Sequence, residues 1–213
     1  MFGVSRITAK RALNELAQDG IVKRERGRGT RVVYHAPARP VEVGVEGLLE
    51  NLLAMGLKTE VKLISFEYQP VNKEGAHQLG CDEGMEIQKA VRVRHLDGKP
   101  FSYLITQVPS DIGRSYSRED LAEKPLLFLL ERIGVKISRA EQSISAINAD
   151  AEVSSALELE SGSPVLCISR VVYDQNDRAV EYIKGLYRPD RYQYRMMLSR
   201  VGSEAARSWT MIE

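Results

Sequence analysis

Histidine, cysteine and tryptophan are scarce in this 213-residue chain, which holds three, two and one of them. The two cysteines, Cys81 and Cys167, lie far apart, and neither has a second Cys or a His at metal-ligand spacing. That excludes a compact zinc site and argues against a disulfide, so both read as reduced, buried small hydrophobes. His35, His77 and His95 are scattered, and no Ser/His/Asp set has a motif around it, so neither a metal nor a catalytic residue is expected. Long apolar runs are also lacking. The longest, Leu126-Leu127-Phe128-Leu129-Leu130, is too short to cross a bilayer, and no secretory signal is visible. With 43% hydrophobic and 28% charged residues, the composition is that of a soluble globular protein, expected in the cytoplasm without a membrane partner. A phosphate-cradling Gly-x-x-x-x-Gly-Lys is missing. Arg26-Gly27-Arg28-Gly29 lies on a ribbon instead of between strand and helix, so no nucleotide or other cofactor is expected. Trp209, near the C-terminus, reads as a tail contact.

A net charge of +1 suggests no strong polarity, yet the charge is unevenly spread. Residues 1–35 hold eight of the 30 basic and three of the 29 acidic residues, a net of +5, and the remainder nets −4. Such asymmetry marks a polyanion-binding end. Ser5 is placed to cap a helix, and Ala9, Ala12, Leu13, Leu16 and Ala17 follow at helical spacing. Arg6, Thr8, Lys10 and Arg11 fall off that apolar face. Gly20 suits the left-handed position after a helix, Ile21 and Val22 start a strand, and Thr30 to Tyr34 return as its partner. Between the strands lies the basic, glycine-rich tip from Lys23 to Gly29, where backbone could approach a phosphate or groove wall.

Beyond the Pro-containing linker 36–44, the pattern is mostly strands with short helices. Residues 47–55 carry a helical spacing of leucines. Lys58 to Tyr68 alternates as a strand, and Lys73 to Leu79 forms a helix stopped by Gly80. Glu86 to His95 and Phe101 to Val108 form a hairpin around Asp97-Gly98. Pro125 opens a helix reaching Arg132, Gln142 to Ile147 is a strand, and Asp150 to Leu157 is a helix. Val165 to Tyr173 and Ala179 to Tyr187 form a second long hairpin. The two hairpins share a faint similarity that reads as a weak internal duplication. After Arg191 the pattern fades, and a poorly ordered tail, 196–213, is expected. Antiparallel hairpins with helices packed on the sheet define an α+β domain.

The segment Val4-Ser5-Arg6-Ile7-Thr8 with Arg11-Ala12-Leu13, Gly20 and Gly27-Arg28-Gly29-Thr30 resembles the helix-turn-helix signature of the GntR family of bacterial transcription regulators. The resemblance makes residues 1–35 part of a winged helix-turn-helix. It assigns Ser5, Arg6, Thr8, Lys10 and Arg11 to the recognition helix and Arg26, Gly27 and Arg28 to the wing that enters the minor groove. The family places a first helix and most of a second before this signature, whereas only Met1-Phe2-Gly3 precede it here. Residues 1–213 alone are therefore expected to bind operator DNA weakly or not at all, with the full-length protein as the operator's partner.

Residues 45–195 are similar to the UTRA effector domain of the HutC subfamily. The similarity rests on Ala90 to Arg94 with Asp97-Gly98-Lys99-Pro100, Arg139 to Ile144, and Glu181-Tyr182 with Tyr187 to Tyr192. It implies a chorismate lyase-like fold, a homodimer, and a small anionic metabolite as effector. Arg92 and Arg94, two apart on a strand, project from one face. They read either as exposed arginines paired with surface acids such as Glu181 or as a bidentate grip on an anion. Glu181, Ile183, Gly185 and Tyr187 share a face of their strand, and Gly185 leaves room between acid and phenol. The resemblance selects the grip and assigns Arg92, Arg94, Tyr103, Glu181 and Tyr187 to the effector. Family members that bind phosphosugars usually carry Glu where this chain has Leu104, and Ser or Thr where it has Lys124-Pro125-Leu126-Leu127. The effector is thus expected to have one anionic group and a less polar body than an amino-sugar phosphate. The expected function is a ligand-responsive repressor and not an enzyme. The alternatives are a chorismate lyase-like enzyme on the same fold or a truncated dimeric sensor that does not bind DNA.

Overall fold

The computed structural model describes residues 3, 5–18, 21–25, 29–32, 41–43, 60–194, 196–201 and 208–211. The chain divides into two compact units, Met1–Ala38 and Arg39–Glu213. In the first, helix α1 (Arg6–Gln18) starts where Ser5 Oγ accepts from the Thr8 backbone N–H at 3.1 Å. Strands β1 (Val22–Glu25) and β2 (Gly29–Val32) pair antiparallel, Val22 opposite Val32 and Glu25 opposite Gly29. Leu13, Leu16 and Ala17 are half-buried, while Ala9 and Ala12 are exposed, so the apolar stripe is covered only over its C-terminal half, where α1 meets β1.

The second unit is built on six antiparallel strands: β4 (Glu60–Pro70), β5 (Glu86–Leu96), β6 (Lys99–Pro109), β7 (Ile137–Asn148), β8 (Pro164–Asp174) and β9 (Ala179–Tyr187). They lie in the order β4-β5-β6-β9-β8-β7. Helices α2 (Lys73–Leu79) and α6 (Ala151–Leu157) cover one face. On the other, the front face, lie α3 (Ser110–Gly113), α4 (Arg118–Glu123) and α5 (Leu126–Arg132). There Leu121, Leu126, Leu127, Leu129 and Leu130 pack against Ala90, Val108 and Val172 of the sheet. Burying each such leucine contributes about 1.5–3 kcal/mol.

The faint hairpin similarity belongs to a larger repeat. The unit β4-α2-β5-β6 recurs as β7-α6-β8-β9, and the two copies meet antiparallel at β6 and β9. Adding 78 to a position in the first copy gives its counterpart in the second over most of that length. Asn72 and Asp150 cap the helices, accepting from the backbone of Gly75 and Val153. Gly80 and Glu158 end them with φ of 61° and 53° in the left-handed region. Each helix is tied to the central strand of the other copy. Tyr182 Oη donates to Glu74 at 3.0 Å, and Tyr103 Oη donates to Glu152 at 2.5 Å.

Several sequence expectations need correction. The 36–44 stretch is not all linker: β3 (Val41–Val43) pairs parallel with β10 (Tyr192–Tyr194). The tail contains an antiparallel hairpin, β11 (Leu198–Val201) with β12 (Ser208–Met211), with Arg200 opposite Trp209. Alternation carries that hairpin although its sequence signal is weak. Cys167 is buried, but Cys81 sits only half-buried just after α2, and both thiols are free. The 47–55 helix expectation lies outside the described residues, as does Gly20.

Candidate functional site

Strand register assembles the site on the front of the sheet. Across β5, β6, β9 and β8 the rows read Arg94, Ser102, Tyr187, Leu166; then Arg92, Leu104, Gly185, Ile168; then Ala90, Thr106, Ile183, Arg170. Arg92 and Arg94 share the front face as their spacing requires, while Val91 and Val93 join the apolar cluster beneath. Neither arginine is an exposed surface residue: Arg92 is 2% and Arg94 7% accessible. Arg170, 5% accessible, approaches from the far side, and Glu181, 3% accessible, from β9. These four charged side chains line a pocket with Ile183, Pro125, Leu126 and Leu127, whose cavity volume is about 30 Å³.

Three guanidinium groups face one carboxylate, a net charge of +2 in a desolvated space. Burial, and then repulsion from Arg94, lower the Arg92 pKa to about 10, so it stays charged at neutral pH. Burial also lowers Arg94 and Arg170, with Tyr187 and Glu181 opposing the shift. Burial raises Glu181, and Arg92, Arg170 and Arg94 pull it partly back. Five buried polar atoms among the described residues of this face lack a hydrogen-bond partner: Nε2 of Gln88, Nε of Arg92, Nε of Arg94, Oγ of Ser102 and Oγ1 of Thr106. Orphaned buried donors cost about 1–3 kcal/mol each. Arg170 is held differently: its Nε donates to Gln142 Oε1 at 2.9 Å, and its second terminal nitrogen donates to the same oxygen. That gives the Arg139 to Ile144 segment its role. Arg139 itself stacks on Tyr173, with its Cζ 3.7 Å from the ring centroid, and pairs with Glu141 and Asp177.

Tyr187 does not line the pocket wall. It is fully buried, its pKa raised by burial against the pull of the three arginines. Its ring occupies the space above Gly185, where a Cβ would stand 2.7 Å from Tyr187 Cε2. The glycine therefore makes room for the phenol and not for a ligand. The phenol ring packs in turn against Tyr192 at 4.2 Å between centroids.

Tyr103 is misplaced in the sequence reading. Opposite Val93 and Leu186, it points to the back of the sheet and bonds Glu152, because odd-numbered positions of β6 face away from the arginines. Tyr103→Phe should leave ligand binding unchanged and lower the melting temperature by about 2–4 °C, the effect of roughly 1 kcal/mol. A ligand titration and a melt of that variant check both halves.

In the N-terminal unit, Arg6 and Lys10 are exposed one turn apart on α1. The Ser5 hydroxyl is used in capping and lies 2.8 Å from that of Thr8, and Arg11 Nε pairs with Glu15 at 3.0 Å. Arg26, Gly27 and Arg28 lie outside the described residues. Sequence reasoning missed Arg170, although it stands 78 residues after Arg92 at the equivalent point of the second hairpin. The apolar stretch Pro125 to Leu127, which the sequence reading set against the family's Ser or Thr, does line the pocket. Among the described residues, no group of three His, Cys, Asp or Glu could hold a metal, and no helix is long and apolar enough to cross a membrane.

Comparison with known proteins agrees with this architecture. Residues 54–193 match the UTRA domain family, and residues 1–32 match the family of bacterial regulatory proteins called gntR. The HTH-type transcriptional repressor NagR of Bacillus subtilis is 30% identical over 94% of this chain and 82% of its own length. The HTH-type transcriptional repressor PhnF of Mycolicibacterium smegmatis is 30% identical over 91% of this chain and 78% of its own length. The crystal structure of PhnF, 29% identical, superposes with a TM-score of 0.60 over 91% of this chain and 85% of that one. The possible regulator YydK of Bacillus subtilis, at 22% identity and a TM-score of 0.64 over 92% of this chain and 84% of that one, shares the fold. With a winged-helix segment ahead of an α+β domain built around a buried charged pocket, the chain belongs to the GntR family of bacterial regulatory proteins, in the branch that carries a UTRA domain, and is a ligand-responsive transcription regulator.

Proposed function

We propose that the UTRA pocket binds a small anionic metabolite and that binding releases a homodimer from its operator, making the protein a repressor. The observation that carries this reading is the pair of buried, unpartnered Nε donors of Arg92 and Arg94 in a pocket with two net positive charges. An anion supplies the missing acceptors and the missing charge. Leu104, buried against Phe101 and Tyr187, and the wall of Pro125, Leu126 and Leu127 support a ligand body less polar than an amino-sugar phosphate. A two-fold operator requires two recognition helices at fixed spacing, which a dimer supplies. Support for a second copy comes from β7. This outermost strand is twelve residues long, with exposed Ile144 and Ile147, no proline and a single residue of each charge.

The test is a thermal-shift screen of the protein against anionic metabolites, followed by a gel-shift titration on operator DNA. The expected result is a saturable rise in melting temperature with a hit that also dissociates the operator complex. Saturable stabilisation by N-acetylglucosamine 6-phosphate would contradict the less polar ligand body. A hit that tightens the operator complex would replace repressor release with co-repression.

A further inference from the structure

We infer that the ligand carries two separated acid groups, a short dicarboxylate, one end held by Arg92 and Arg94 and the other by Arg170. The inference rests on the anion reading above and goes beyond it in naming the ligand's shape. Arg92 and Arg170 are counterparts in the internal repeat and flank its axis, one rooted on β5 and the other on β8, with β6 and β9 between them. Three inter-strand steps and one row place their Cα atoms roughly 15 Å apart. Both side chains point onto the same face and line the same pocket, so they reach in from opposite flanks.

The charge count leads to the same ligand. Three buried guanidiniums against Glu181 leave two positive charges uncompensated, and two carboxylates balance them. A single head group seated on Arg92 and Arg94 leaves Arg170 facing the pocket without a ligand partner. Gln142 holds the Arg170 guanidinium through two of its nitrogens, which fixes its direction without neutralising it. Between the two cationic flanks the lining is apolar apart from Glu181 (Ile183, Leu126, Leu127), which suits a methylene chain better than a polyhydroxylated body.

The experiment titrates the 213-residue chain with the straight-chain dicarboxylates from malonate to pimelate, with monocarboxylates of matching length, and with inorganic phosphate. Calorimetry and melting temperature are the readouts. One dicarboxylate length is expected to bind at least about 30-fold tighter than its monocarboxylate partner. Arg170→Met is expected to reduce that preference to less than about 3-fold while monocarboxylate binding persists. The length series on the unmodified chain decides the matter even if the variant does not fold. Equal binding of mono- and dicarboxylates, or tighter binding of phosphate than of every dicarboxylate, would overturn the two-ended ligand and leave the anion reading standing. A chain that responds to no anion, with Arg92→Met indistinguishable from it, removes both.

Discussion

Arg92→Met is expected to make the ligand-free protein more stable and nearly blind to its ligand. Arg92 is fully buried, repelled by Arg94, and its Nε has no acceptor. Replacing a buried charge of this kind with an apolar side chain of similar length is commonly neutral or stabilising, here by about 1 kcal/mol or 2–4 °C in melting temperature. Glu181 keeps Arg94 and Arg170 as counter-charges. Binding moves the other way. Losing a desolvated charge partner of the ligand costs about 2–5 kcal/mol, a loss of roughly 30- to 3,000-fold in affinity. Parallel melts and ligand titrations check both directions, and a variant that is both unstable and blind would make Arg92 a structural residue.

Glu181 gives the same site a pH dependence whose sign follows from its burial. Its folded-state pKa is raised, so the folded protein holds that proton more firmly than the unfolded chain. Its contribution to stability is full below the unfolded value of about 4.5 and is lost as pH rises through the folded value. For binding, protonation removes the one negative charge in the pocket. Affinity for a probe of constant charge, such as sulfate, therefore rises as pH falls through that value. Glu181→Gln abolishes the dependence.

Gly113→Ala is expected to cost about 3 kcal/mol, lowering the melting temperature by roughly 6–12 °C. A Cβ at this position would lie 2.5 Å from Gln88 Cβ. That neighbour is rooted on β5 and is fully buried, so it has no route of retreat. Helix α3 would have to lift from the sheet, and two hydrogen bonds lie in its path. Tyr68 Oη donates to the Gly113 carbonyl at 2.9 Å, and Tyr116 Oη donates to Gln88 Oε1 at 2.8 Å. Gly84→Ala is the useful contrast. Nothing lies within 4 Å of its Cβ, and its cost is the backbone strain at φ +87° alone. A pair of melts separates steric crowding from backbone strain.

The strands and helices were largely legible in the sequence because alternation and glycine stops report local geometry. The hairpin at Asp97-Gly98 and the helix ending at Gly80 follow such signals. The α4 start also had one, the capping box of Ser117 with Asp120, which went unread. The site was legible only in part. Spacing put Arg92 and Arg94 on one face but could not say whether that face met solvent or helix α5. Tyr103 and Arg170 show the other limit. Which face of a strand meets which neighbour depends on register across several strands, and no single segment encodes that. Only the second copy of the repeat, read against the first, would have brought Arg170 forward and sent Tyr103 to the back.

The crossed ties between Glu74 and Tyr182 and between Glu152 and Tyr103 bear on how this domain comes apart. Each helix is anchored to the other copy's central strand, so neither half of the duplication is a unit that can unfold by itself. Fraying that starts at β4 or β7 has to break one of these ties before it reaches the centre, and breaking it loosens the opposite half. The duplication thus yields a single cooperative body in place of two small ones, and β6 and β9, which carry the ties on one face and Glu181 on the other, are the last part of the sheet to open.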